Sequence, residues 1–473
     1  MRVRGEEGVV RGLFCGPAAE DWPLGRLRGH ELAAWQLDRL NAILARASLN
    51  AFYGPRVRAA GVGQEGLRSL DDLRWIAPIR KADLLADNQA APPWGRRLQV
   101  PPEQIAHAVE TTGTSGVGKE LHAMSAADEA RIAAVEAHGF AMAGVRPGSL
   151  VMNTVPMAIS AAGVWYYLGL KLAGANVFEV GMFNARRKLE CIGRFGCDLL
   201  IGTPSYIDRL EAAAREMGND PRTFGVGRIL VAGEPFSVGW VRRLEDAWGA
   251  RLFEQYGCTQ RATAWTCERG ALDGDRRGVL HFVPEACIYE VVDPGTGAPV
   301  APGETGELVV TPLIGEATPI LRFATGDRVR YAPAGSCPCG RAADGIESGT
   351  VSRYDSMVKI RGVNVWPEAV DEIVFSFPEV ADYAAEVFTD ETQGAERVCL
   401  AVEFTAPDPA ERRRILEALG PRLHEGTGLR MEVVAHAGPS LSTSVPDDWS
   451  KRSRWRDRRR TQEPSAVRLL PSA

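Results

Sequence analysis

Thr111-Thr112-Gly113-Thr114-Ser115-Gly116-Val117-Gly118-Lys119 alternates hydroxyls with glycines and ends on one basic residue. Such a run is a phosphate cradle. Glycines let the backbone turn so that its N–H groups converge on an anion, the Thr and Ser hydroxyls add donors, and Lys119 adds charge. The expected ligand is a polyphosphate, and the expected setting is an α/β fold. Gly113, Gly118 and Lys119 also meet the G-x-x-x-x-G-K spacing of a P-loop, but that loop needs Ser or Thr after the lysine, and here Glu120 follows.

Around this loop the chain is long and ordinary in composition. At 473 residues it exceeds what one core holds, so two or more domains are expected. The net charge of −5 and the scattered aromatics give no reason to expect nucleic acid as a partner. The basic run 451–460 reads as a solvated tail. Nine cysteines with no signal peptide read as reduced thiols of a cytoplasmic protein, active as a monomer or homodimer. Residues 150–170 carry one uncharged stretch of about twenty residues, nominally enough to cross a bilayer. Asn153, Pro156 and Ser160 interrupt it, so it is expected to be a buried strand followed by a helix, and no membrane partner is expected.

Periodicity divides the chain. Apolar residues at helical spacing over 31–60, broken at Pro55, and a short helix at 81–87 form a helical lead-in. Between 150 and 252, short apolar runs such as Asp198-Leu199-Leu200-Ile201 alternate with amphipathic stretches, the βαβ pattern of a mostly parallel sheet. Past Gly278 the texture changes to short strands split by turns such as Asp293-Pro294-Gly295, a β-rich subdomain over about 265–345. After Arg353 a strand (357–360), helix (367–375), two strands (383–388 and 397–404) and a helix (409–419) make a small α+β domain. The expected organisation is an N-terminal domain over 1–352, a small mobile C-terminal domain over 353–457, and a disordered tail over 458–473.

Further along the chain come Ala232-Gly233-Glu234-Pro235, Gln255-Tyr256-Gly257-Cys258-Thr259-Gln260, Arg322-Phe323-Ala324-Thr325-Gly326-Asp327, and Arg353-Tyr354-Asp355 leading into Val358-Lys359-Ile360-Arg361-Gly362. In that order, after the hydroxyl-rich loop, they resemble the adenylate-forming superfamily, whose phosphate loop tolerates Glu120. Cys337-Pro338-Cys339-Gly340-Arg341 and the lead-in Trp75-Ile76-Ala77-Pro78-Ile79-Arg80-Lys81 are similar to phenylacetate-coenzyme A ligases in particular. The resemblance spans nearly the whole chain.

The resemblance implies an ATP-dependent enzyme that turns a carboxylic acid into an acyl-adenylate and passes it to coenzyme A. An amine or other nitrogen acceptor, and a non-catalytic nucleotide-binding protein, are the alternatives. It implies that Thr111, Thr112, Gly113, Thr114, Ser115, Gly116 and Lys119 grip the phosphates. Gly233, Glu234 and Pro235 would shape the adenine slot beside Tyr256 and Gly257, and Thr259 would meet the α-phosphate. Asp327 would accept from both ribose hydroxyls, its two oxygens matching a vicinal diol, with Arg353 nearby. Asp355 would be the hinge of the small domain. Because a carboxylate repels the triphosphate it attacks, magnesium and a cationic side chain are needed, and Lys451 is the candidate. The usual magnesium-binding Glu of the Y-G-x-[Ser/Thr]-x motif is Gln260 here, which can offer a carbonyl or hold the ion through water. Trp165, Tyr166 and Tyr206 would line an acyl pocket suited to an aromatic acid.

Cys267, His281, Cys337 and Cys339 supply three soft thiolates and one imidazole, a tetrahedral set suited to structural zinc. The metal-bearing branch of the resembled family has such a set. Three buried thiols and a surface histidine are the alternative.

Overall fold

The computed structural model describes residues 22–111, 118–390, 395–405, 408–438, 440–441 and 453–460. Thr112, Gly113, Thr114, Ser115 and Gly116 of the phosphate loop, and Lys451, lie outside the described residues.

Strands β1 (Ile105–Glu110) and β2 (Leu121–Ser125) pair antiparallel, and the phosphate loop joins them. Five strands then run parallel: β3 (Leu150–Asn153), β4 (Asn176–Glu179), β5 (Leu199–Gly202), β6 (Arg228–Ala232) and β7 (Arg251–Cys258). Their spatial order is 4-3-5-6-7. The chain leaves β3 to one side for β4 and returns on the other for β5, so strand order reverses at β3. That reversal opens a crevice at the carboxyl ends of β3 and β5, where open α/β sheets bind ligands.

Side chains alternate across this sheet. Val151, Leu199, Ile201 and Leu230 pack on one face with helices Ala126–Met142 and Ala161–Leu172. Met152, Leu200, Ile229 and Val231 pack on the other with helices Ala185–Phe195, Pro204–Glu216 and Val238–Trp248. The uncharged run beginning at Leu150 is thus β3, a loop and a buried helix, and among the described residues no helix is long and apolar enough to cross a membrane.

After β7 the direction changes. β8 (Ala262–Thr266) returns antiparallel, and the sheet continues through Val279–Phe282, Gly345–Glu347, Phe323–Ala332, Thr305–Pro312 and Cys287–Val292. The lead-in helices cover this antiparallel half, where Leu40, Ile43 and Leu44 pack against Leu308, Val310 and Phe323. Pro55 does not end a helix but occupies the first turn of a short one, Gly54–Ala59, where a missing N–H costs nothing.

Residues from Val358 onward have their own four-stranded sheet and their own core, with Tyr383, Leu400, Ile415 and Leu419 among its members. The helix starting at Pro409 runs to Thr427, past the stop expected at Leu419. Pro421 sits inside it, and Ile415, Leu419 and Leu423 bury one face and carry the helix across the missing hydrogen bond. The basic run differs more. Trp455–Asp457 is the fourth strand, parallel to Val380–Thr389, and Arg458–Arg460 continues it as a 3₁₀ turn. Arg454, half-buried, pairs with Asp382 at 2.8 Å and Arg459 pairs with Asp457 and Glu396. Acidic partners far back in sequence therefore hold residues 453–460 of the expected solvated run in place; residues 451–452 and 461–473 lie outside the described residues.

Candidate active site

A line of polar side chains starts at the carboxyl end of β7. The Tyr256 hydroxyl donates to Asp327 Oδ2 at 2.7 Å, Arg353 Nη1 donates to Asp327 Oδ1 at 3.1 Å, and Arg353 grips Asp355 with two further bonds of 2.8 and 3.0 Å. Backbone register fixes this: Ser352–Arg353 pairs with Phe323–Ala332 so that Arg353 stands opposite Asp327. Gly326 takes a φ of +77° where the register of the Phe323–Ala332 strand shifts, and a Cβ there would sit 3.0 Å from Arg353 Nη2. Burial, and then the Asp327 charge, push the Tyr256 phenol well above its usual range, so it remains a donor. A carboxylate offers about four lone-pair positions, so the type of acceptor at Asp327 matches a vicinal diol.

The second part is the neck of the phosphate loop. Thr111 N–H donates to Glu120 O at 3.0 Å, and Glu120 N–H donates to Thr111 Oγ1 at 3.0 Å, which extends the β1–β2 ladder by one rung. Lys119 is 56% exposed and pairs with Glu110 at 3.2 Å, outside the neck. Glu120 points inward and is fully buried, and Gln260 Nε2 donates to its Oε1. Gln260 is itself buried, in the turn between β7 and β8, next to the half-buried Thr259. Its amide N–H therefore faces a carboxylate; only its carbonyl oxygen remains for the metal-facing role expected of it. Glu120 is a buried carboxylate at this neck that motif reading did not place among the binding residues. The signal was the pair Glu120 and His122, polar at alternate positions entering an otherwise apolar strand.

The third part lines the crevice. Gly233, after β6, takes a φ of +86° and turns the chain so that Glu234 accepts from Ser205 N–H at 2.9 Å and Ser205 Oγ at 2.8 Å. Pro235 follows, half-buried, and Gly257 is exposed across the crevice. The three candidate acyl-pocket aromatics separate. Trp165 and Tyr166 pack on the first face of the sheet, with the Tyr166 hydroxyl on Gln255 Oε1 at 2.6 Å. Tyr206 packs on the opposite face, where its hydroxyl accepts from the buried Lys188 at 2.6 Å. The crossover that follows β3 leaves on one side and the one that follows β5 on the other, so these aromatics do not share one wall.

Cys267, His281, Cys337 and Cys339 come together although they span more than seventy residues of sequence. Their ligand atoms all lie within 4.8 Å of one another, and among the described residues no other group of three or more such side chains does so. The Cys267 and Cys337 sulfurs are 3.7 Å apart, and Cys339 Sγ is 3.5 Å from His281 Nε2. A sulfur pair at that distance is not a disulfide. Two thiolates about 2.3 Å from one ion at a tetrahedral angle are about 3.8 Å apart, and a thiolate and an imidazole nitrogen about 3.6 Å, each within about 0.1 Å of the observed separations, so the set fits zinc.

A model of the AMP-binding enzyme family matches residues 33–312. The chain is 30% identical to the phenylacetate-coenzyme A ligase of Thermus thermophilus over 369 residues, which covers 78% of this chain and 79% of that one. It is 29% identical to the Escherichia coli phenylacetate-coenzyme A ligase over 358 residues, covering 75% and 78%. Among solved structures, 2-hydroxyisobutyryl-CoA ligase in the postadenylation state superposes with a TM-score of 0.77 at 24% identity, over 89% of this chain and 88% of that one.

Proposed function

The chain belongs to the AMP-binding enzyme family, in its phenylacetate-coenzyme A ligase branch, and from that membership we propose how its residues carry an acid through adenylation to a coenzyme A thioester. ATP and a carboxylic acid give an acyl-adenylate and pyrophosphate, and the coenzyme A thiolate then displaces AMP. Support for the residue roles comes chiefly from the Tyr256–Asp327–Arg353 line, an acceptor carboxylate aimed by two donors at the end of the parallel sheet.

In this reading Asp327 anchors the ribose, and its two donors hold the carboxylate in place before nucleotide arrives, so little orientation is lost on binding. Gly233, Glu234 and Pro235 border the base. The hydroxyls from Thr111 to Ser115 take the terminal phosphates, and Thr259, at the turn after β7, meets the α-phosphate. Magnesium, bound with the triphosphate, withdraws charge so that the acid's carboxylate can approach phosphorus. Lys451 stabilises charge on the same phosphate during the first step. The Arg353–Asp355 pair stands where the first body of the chain hands over to the second, and rotation about it would withdraw Lys451 and admit the thiol.

The acid is aromatic in this reading. With Tyr206 on the far face, Trp165 and Tyr166 are the side chains that would border its ring, and the Tyr166–Gln255 bond fixes that wall. The Cys267, His281, Cys337 and Cys339 set holds structural zinc; all four ligands come from protein, so no position is left for chemistry.

Acid-dependent exchange of labelled pyrophosphate into ATP tests the first half-reaction. Exchange that requires an aromatic acid and not coenzyme A supports the proposal; exchange absent with every acid of a broad panel counts against it.

A further inference from the structure

Glu120 is buried completely, at the neck of the phosphate loop. Its Oε1 accepts from Gln260 Nε2, and among the described residues its Oε2 has no partner. His122 is the one basic group in an ion-pair position, with Nε2 3.4 Å from Oε1, but both of its ring nitrogens lack hydrogen-bond partners among the described residues. The guanidiniums nearby bond elsewhere, Arg97 to Asp87, Asn88 and the Leu121 carbonyl and Arg261 to the Thr318 carbonyl, although the Nε of each has no partner among the described residues. A buried carboxylate with one amide donor and one oxygen left without a partner among the described residues is costly unless a cation reaches it when the site is at work.

The backbone says where that cation would be. Glu120 is bonded at both its N–H and its C=O to Thr111, the first residue of the phosphate loop. Its neighbour Gln260 keeps a carbonyl oxygen for a hard ion while its amide hydrogen steers the carboxylate. A charged oxygen and an amide oxygen side by side suit a magnesium-sized cation that keeps several waters and phosphate oxygens as its other ligands.

We propose that Glu120 supplies the carboxylate ligand of the nucleotide-bound divalent cation in this chain, with Gln260 as the residue that positions it. The charge that the sequence lacks at 260 is thus present across one hydrogen bond, on the other side of the loop neck. This inference rests on the chain being an ATP-dependent adenylating enzyme, and it makes Glu120 selective in sign: it attracts the metal complex and repels the bare triphosphate.

The sign gives the test. The full-length protein is titrated with Mn2+ in the presence of α,β-methylene-ATP, with free Mn2+ read by electron paramagnetic resonance, and separately with ATP in EDTA by equilibrium dialysis. Glu120→Gln should weaken Mn2+ binding at least tenfold while binding metal-free ATP as tightly as the parent or more tightly. The exchange Glu120→Gln with Gln260→Glu moves the charge across the same hydrogen bond and should restore Mn2+ affinity to within about threefold. Mn2+ affinity unchanged in Glu120→Gln, or Mn2+ and metal-free ATP weakened together without rescue by the exchange, would overturn the inference and leave the adenylating function intact. A parent protein that binds no nucleotide under either condition would overturn both.

Discussion

Replacing Asp327 by alanine removes the acceptor assigned to the ribose. In the folded chain Asp327 is 13% exposed at its side chain and holds Arg353 and Tyr256. Arg353 keeps its two bonds to Asp355 in the variant, so it is not left as an unpaired cation and the fold should persist. Two hydrogen bonds from ribose hydroxyls to a carboxylate contribute about 1.5–3 kcal/mol each; the lower value is appropriate because the same oxygens also serve two protein donors. A loss of about 3 kcal/mol corresponds to roughly 100-fold weaker ATP binding. Isothermal titration of ATP measures it, with thermal melting as the check on folding. Tyr256→Phe is the companion: it removes one bond that aims the carboxylate and none to the nucleotide, and should cost less than tenfold. If Asp327→Ala binds ATP within threefold of the parent, Asp327 is not the ribose anchor and the Tyr256–Asp327–Arg353 line is structural.

Lys451→Ala should lower acyl-adenylate formation by at least 100-fold in single-turnover assays while ATP binding changes little; full retained activity removes Lys451 from the site. Protein purified without added metal should carry about one zinc per chain by plasma emission, and Cys337→Ser should lose it and melt at lower temperature; a metal-free parent of unchanged stability would favour plain buried thiols. Glu136 is buried without a partner for Oε2, and burial pushes its carboxyl up to about 8 from 4.5. The folded chain therefore keeps a proton that the unfolded chain has released between those values, so this group's contribution to stability falls as pH rises from about 4.5 to about 8. Glu136→Gln should raise the melting temperature at pH 8 more than at pH 5, and a pH-independent difference would refute the assignment.

Much of the fold was legible because its signals are local. The alternation of apolar runs with amphipathic stretches between Leu150 and Leu252 is written in neighbouring residues, and it became five parallel strands with helices on both faces. Cys337 and Cys339 are readable as a pair for the same reason, whereas Cys267 and His281 were picked out by the resemblance to the metal-bearing branch of the family. What sequence could not supply were pairings across the fold. The Gln260–Glu120 bond joins residues 140 positions apart. Whether Tyr166 and Tyr206 share a wall depends on the direction of two crossovers, which composition does not encode. The basic run near the end looked solvated because its partners, Asp382 and Glu396, lie on strands earlier in the chain.

The central claim is that this chain joins an acid to coenzyme A through an adenylate. The direct measurement incubates the protein with ATP, magnesium, coenzyme A and a panel of aromatic acids, and identifies nucleotide and acyl products by mass spectrometry. AMP with a matching acyl-coenzyme A, formed only when acid and coenzyme A are both present, is the predicted result. ADP as the nucleotide product, or an acyl-adenylate that coenzyme A does not consume but an amine does, would contradict it.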